Sequence, residues 1–203
     1  AHGSFNFSNT GNFAGFGGVD DNAVGKISTL VYSPDGKGNN GTHLLKALQN
    51  GNSTISDGPI LTIGLSTDGN NDINEVILGD EIVLNSLNNK SYFLNLNYTT
   101  NDEFGEVVYL KVIVGTETGE SAFNLFLDSL NGSHNISYNL NGILEEIVGE
   151  GNIMYDQYFY LRAELQTQTD YSNLSEIYRA DYGLFHSFTN PIWIRINEIP
   201  PST

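Results

Sequence analysis

Tyr92-Phe93-Leu94-Asn95-Leu96-Asn97-Tyr98 is the stretch whose reading decides the fold class. Tyr92, Leu94, Leu96 and Tyr98 alternate with Phe93, Asn95 and Asn97, and a period of two belongs to a strand with one buried face. Downstream, Val107 to Val114 is more continuously apolar, which predicts a strand covered on both faces. Further strands are predicted from Lys26 to Ser33 and near 59–65, 75–84, 121–128, 133–140, 143–148, 155–166, 176–188 and 191–197. Asn141-Gly142 falls between two such runs and predicts a type I′ hairpin. Pro34-Asp35-Gly36 predicts a turn, because Pro sets φ and Gly supplies positive φ. One short helix is predicted near 42–50, with Thr42 as its cap, Leu44, Leu45 and Leu48 on one face, and Gly51 closing it. Many strands at short spacing, punctuated by Gly, Asn and Asp, predict an all-β fold, a β-sandwich. The sandwich is expected over 24–203, preceded by an extended Gly/Phe-rich segment over 1–23.

The chain has 203 residues, of which 24 are acidic and 8 are Lys or Arg, for a formal net charge of −16. A surface this negative repels phosphate backbones and anionic membranes, so nucleic acid is not an expected partner. Metal cations, Ca2+ above all, are what it attracts. There is no cysteine, which excludes disulfides, thiolate zinc sites and cysteine nucleophiles. No apolar run approaches a membrane span of roughly 18 residues. The start at Ala1, the abundance of Asn, Gly, Ser and Thr and the scarcity of Lys point to a processed extracellular or cell-surface protein.

The catalytic motifs that can be read locally are missing. His2, His43, His134 and His186 do not fall at metal-ligand spacing, and there is neither a Gly-x-Ser-x-Gly elbow nor a phosphate-binding glycine loop. The sharpest local feature is Asp68-Gly69-Asn70-Asn71-Asp72-Ile73-Asn74-Glu75. Asp68, Asn70, Asp72 and Asn74, followed by Glu75, place hard oxygen ligands along a tight loop, which suits Ca2+. Its sixth position holds Ile73 rather than Gly, so an ordinary polar loop is the competing reading. Glycan acceptor triplets occur at Asn6, Asn40, Asn52, Asn89, Asn97, Asn131, Asn135 and Asn173.

Several stretches resemble the PHP superfamily of metallohydrolases (polymerase and histidinol phosphatase). Ala1-His2-Gly3 resembles the end of that family's Asp-Ala-His-Gly motif. Residues 24–33, His43 to Gly51 and Ile55-Ser56-Asp57-Gly58-Pro59 are similar to the segment that follows it. Tyr160-Leu161-Arg162-Ala163-Glu164 and Phe188-Thr189-Asn190-Pro191-Ile192-Trp193 resemble its closing strands. The resemblance implies a β-sandwich following a catalytic metal domain. Only His2 is then a remnant metal ligand, and one imidazole does not hold a catalytic metal.

Three functions follow as expectations. The first is a non-catalytic structural module that assembles with copies of itself into an extracellular filament, sheath or surface layer. Its donor strand would be the segment carrying Phe5 and Phe7, which lie two apart and share a face; pairing within the same chain is the alternative. The second is a C-terminal fragment of a PHP-like metal-dependent phosphoesterase. The third is a carbohydrate-binding sandwich using Tyr155, Tyr158, Tyr160 and Trp193.

Overall fold

The structure is a computed structural model that describes residues 27–32, 40–67, 74–84, 92–117, 119–125, 132–148, 158–169 and 184–197. The described elements are, in chain order, β1 (Ser28–Val31), α1 (Gly41–Asn50), β2 (Ser53–Ser56), β3 (Ile60–Ser66), β4 (Val76–Ile77), β5 (Glu81–Leu84), β6 (Phe93–Thr100), β7 (Glu106–Thr116), β8 (Gly119–Leu125), β9 (Gly132–Asn139), α2 (Leu140–Val148), β10 (Tyr158–Gln168), β11 (Leu184–Thr189) and β12 (Ile192–Ile196). The all-β, sandwich-like fold expected from the alternating runs is what these elements build. The expected N-terminal segment 1–23 lies outside the described residues.

The smaller sheet has the order β4-β3-β6-β9, all antiparallel. In the larger sheet β10 is the centre. One of its edges pairs with β7, which pairs in turn with β8; the other edge is shared by β11 and β12. Glu164 pairs with Phe188, and Leu161 pairs with Ile192, so one extra residue sits at Asn190-Pro191. The chain from Leu184 to Ile196 is therefore one strand broken by a bulge, the place where a residue without an N–H is tolerated. Beyond it, β2 pairs with β11 and β5 with β12, and β1 closes that edge on β2.

The alternation read in the sequence is the inner face of β6. Leu94, Leu96 and Tyr98 are buried against Leu61, Ile63 and Leu65 of β3 and, from the other sheet, Leu110, Val112, Leu161, Ala163, Leu165 and Ile194. Each large apolar side chain so buried contributes about 1.5–3 kcal/mol.

The structure corrects three local expectations. Asn40, not Thr42, caps α1: its Oδ1 accepts the Thr42 N–H at 3.0 Å, and the helix starts at Gly41. Gly51 closes it as expected, at φ 79°. Asn141-Gly142 is not a hairpin but the first turn of α2, so the run expected as a strand near 143–148 is helix, and the described residues hold two short helices where one was expected. Leu140, Ile143 and Leu144 are buried and Ile147 packs beside them, so a helical spacing of apolar residues prevails over a two-residue turn signal. Asn139 accepts the Gly142 N–H at 3.2 Å at the start of this helix. The run 75–84 is two strands in different sheets, β4 and β5. The chain changes sheet at Gly79, whose φ is 90° and whose α-carbon packs against Gly51.

Candidate functional site

Two surfaces carry chemistry. The first is the outer face of the larger sheet. Along β10 the odd residues Phe159 to Leu165 face the core, so Tyr158, Tyr160, Arg162 and Glu164 face outward. Glu164 lies directly across from Lys111 and is only 3% exposed. Its carboxylate accepts from Lys111 Nζ at 2.6 Å and from Arg162 Nη1. Arg162 Nη2 also reaches Glu120 on β8 at 3.3 Å, and the Tyr160 hydroxyl donates to the same carboxylate. Tyr160 faces Gly115 across the ladder, and a side chain at Gly115 would collide with its ring. The missing Cβ lets the ring lie over the backbone and reach Glu120.

The electrostatics follow from this geometry. Burial opposes the Glu164 charge, but the hydrogen bonds from Lys111 and Arg162 outweigh it, and the carboxyl is held below its ordinary range. The Tyr160 hydroxyl, followed by Arg162, keeps Glu120 low as well. Burial and then the bond to Glu120 push the Tyr160 phenol up. Beside the cluster the Trp193 ring meets Tyr160 edge-on, with centroids 5.3 Å apart, and Arg195 lies 5.8 Å from the centre of the Tyr158 ring.

The second surface is the β9 edge. Among the described residues β9 pairs only with β6. Leu140 N donates to Tyr92 O at 2.8 Å, and these residues sit directly opposite one another when the ladder is extended by one step. In an antiparallel ladder hydrogen-bonded pairs alternate with non-bonded ones. His134, Ile136 and Tyr138 therefore bond inward to β6, whereas Ser133, Asn135, Ser137 and Asn139 turn their backbone groups toward the open edge. Its sequence, Gly132-Ser133-His134-Asn135-Ile136-Ser137-Tyr138-Asn139, has no Lys, Arg, Asp, Glu or Pro. Those are the residues with which edge strands are ordinarily protected from pairing.

The expected site residues divide sharply. Asp68, Asn70 and Asp72 lie outside the described residues. Asn74 Oδ1 accepts from Asn95 Nδ2 at 2.8 Å, and Glu75 Oε1 accepts from Thr67 Oγ1 at 2.7 Å, so both brace the smaller sheet. Asn74 fits there because Gly64 beneath it has no side chain. Ser66 accepts from the Asn95 amide, and Ser137 donates to its carbonyl oxygen, which completes a polar network on the outer face of the smaller sheet. His2, Phe5, Phe7, Asn6, Asn89, Asn131 and Asn173 also lie outside. Asn40 is exposed but caps α1. Asn52 corrects the expectation of a glycan acceptor: it is 5% exposed, and its Nδ2 donates to Leu78 O at 2.7 Å. Asn97 and Asn135 face each other across the ladder; Asn135 is exposed, whereas the Asn97 Oδ1 is enclosed without a partner among the described residues.

The Lys111–Glu164–Arg162–Glu120 cluster escaped the sequence reading. Its one local signal is Arg162 and Glu164 two apart on a strand; Lys111 and Glu120 are joined to them only by the fold. Among the described residues no group of three His, Asp or Glu side chains is arranged to hold a metal ion. No described helix is long and apolar enough to cross a membrane. Comparison with protein-family models, with curated proteins and with solved structures finds no match for this chain.

Proposed function

We propose that this chain is a non-catalytic structural module that assembles with copies of itself by strand addition, in the extracellular setting its composition favours. The observation that carries this reading is the β9 edge, which carries no charged residue or proline and has no second strand partner among the described residues. Its inward residues Ile136 and Tyr138 are only half-buried, so an added strand with an apolar face would extend the core. The position of the edge supports polymer growth. Phe123 of β8 meets Tyr138 of β9, while Thr54 of β2 bonds to Leu61 of β3, so β9 lies on the β8 side of the sandwich and β1 on the opposite side. A donor segment around Phe5 and Phe7 and the β9 acceptor edge are different surfaces, so they make a head-to-tail contact, the kind that propagates rather than closing as a two-fold dimer. Deleting residues 1–10 leaves a folded monomer that no longer assembles. Unfolding of the deleted chain, or continued assembly, overturns the reading.

A second reading is favoured by a different observation. The described stretches that resemble PHP proteins come from β1, α1, β2, β10, β11 and β12, and they lock together in space. Asn190 Nδ2 donates to Gly51 O at 2.9 Å and to Ser53 Oγ at 3.0 Å, and Asp57 accepts the His186 N–H. On this reading the chain is the sandwich of a PHP-like metal-dependent phosphoesterase. Manganese-dependent hydrolysis of p-nitrophenyl phosphate by the product of the whole reading frame, with none from residues 1–203, supports it. An inactive longer product rules it out.

A further inference from the structure

We propose that the outer face of the larger sheet around Trp193 and Tyr158 binds a neutral polysaccharide chain. Trp193 is 43% exposed and Tyr158 is 45% exposed, on a sheet face where both rings are large apolar surfaces left to solvent. Tyr160 pairs with Trp193 and Tyr158 with Arg195, so the two exposed rings occupy diagonal positions on neighbouring strands. Diagonal neighbours lie about 7–8 Å apart, which suits an extended chain that lays one sugar ring on each aromatic. Neither ring is free to collapse. Tyr160 abuts Trp193 edge-on, and the Arg195 guanidinium sits over Tyr158. Rings already held in place lose little freedom on binding.

The polar side chains beside the rings identify the ligand class. Planar guanidinium and carboxylate groups hydrogen-bond to adjacent sugar hydroxyls, and the Glu120 side chain is 43% exposed next to Arg162. The cluster is charge-balanced: Lys111 and Arg162 are matched by Glu120 and Glu164. Arg195 is a further cation on this face and is offset by Glu81, which pairs with Trp193, so among the described residues no excess of positive charge draws an anionic polymer to a chain of net charge −16. Apolar ring faces flanked by neutralised polar groups fit the alternation of C–H faces and hydroxyls on an uncharged sugar chain.

Trp193 is the only tryptophan, so its emission reports on the site directly. Full-length protein is titrated with cellohexaose, laminarihexaose, chitohexaose and mannohexaose, with hexagalacturonate as the anionic probe. A saturable emission shift is expected with at least one neutral hexasaccharide, and a weaker one with its disaccharide. Tyr158→Ala, an exposed position checked by near-ultraviolet circular dichroism, weakens binding about 10-fold or more. Asn135→Pro, on the other sheet, leaves binding unchanged, which separates this site from assembly through β9. The proposal is overturned by the absence of a saturable shift with all four neutral probes, or by a shift with hexagalacturonate alone. Unaltered binding by Tyr158→Ala also overturns it, as does an emission change that follows protein concentration without sugar, which would mark the face as a contact between copies.

Discussion

Proline at Asn135 tests the β9 edge more sharply than any deletion. The bond from Leu140 N to Tyr92 O sets the alternation, and by it the Asn135 N–H points away from β6. Asn135→Pro thus breaks no bond inside the monomer, and proline is accepted on edge strands when its missing N–H faces outward. Monomer stability should change by less than about 1 kcal/mol. An incoming strand loses one backbone bond, and one of its own carbonyls is left without a donor, which costs about 1–3 kcal/mol. That corresponds to an assembly constant about 5- to 150-fold weaker. Ile136→Pro is the matched control. It removes a bond to β6, leaves a β6 carbonyl without its donor and should cost the monomer about 1–3 kcal/mol. Sedimentation velocity across a concentration series reads assembly, and urea melts read stability. Assembly of Asn135→Pro at parental concentrations would refute the edge as the contact. Equal destabilisation by the two prolines would refute the alternation itself.

Three further outcomes are expected. Glu164→Gln destabilises the protein at neutral pH by about 1–3 kcal/mol, because Lys111 and Arg162 lose their buried counter-charge. The folded Glu164 carboxyl titrates below its ordinary range, so its contribution is complete above about pH 4.3 and is lost as pH falls through the lowered folded value. The stability gap between variant and parent must therefore close on acidification; a gap that widens contradicts the ion-pair account. Gly79→Ala forces a side chain into φ 90° and leaves its methyl 2.5 Å from the Asn50 and Gly51 carbonyl oxygens. Left-handed strain of about 1–2 kcal/mol and overpacking of about 1–3 kcal/mol should sum to about 2–5 kcal/mol, and an unchanged urea midpoint would show that the corner is not tight. Calcium bound at the loop carrying Asp68, Asn70 and Asp72 raises the melting temperature, and chelator reverses the rise; superimposable melts with and without chelator leave the loop as a plain turn.

The strands were legible because each alternating run declares its own buried face, as Leu94, Leu96 and Tyr98 do without reference to a partner. Where two local signals competed, the sequence alone did not decide. Asn141-Gly142 is a turn dipeptide lying inside the helical spacing of Leu140, Ile143, Leu144 and Ile147, and only the buried groove beside β8 and β9 resolves the conflict. The change of sheet at Gly79 was invisible because it depends on the backbone of Asn50 and Gly51, far back in the chain, standing where a side chain at Gly79 would be. Of the candidate sites, β9 was legible as a strand but not as an edge, since pairing partners are a property of topology. The charged cluster required Lys111 and Glu120 to arrive from other strands. The acceptor triplet at Asn52 shows the reverse failure: a surface motif by composition, it is placed by the fold under Leu78.

The broken strand formed by β11 and β12 has a consequence for how the chain must be made. Asp57 and His186 are 129 residues apart, and Gly51 and Asn190 are 139 apart. At about 5–20 residues per second, β2 waits roughly 7–28 seconds on the ribosome for the segment that covers it. Neither half of the sheet can close earlier, because the same late segment supplies the neighbour for β2 and for β5. Folding is thus dominated by distant pairings and is slow. Throughout that interval the nascent chain carries unpaired strand edges, which stay open to pairing with other chains until residues 184–196 emerge.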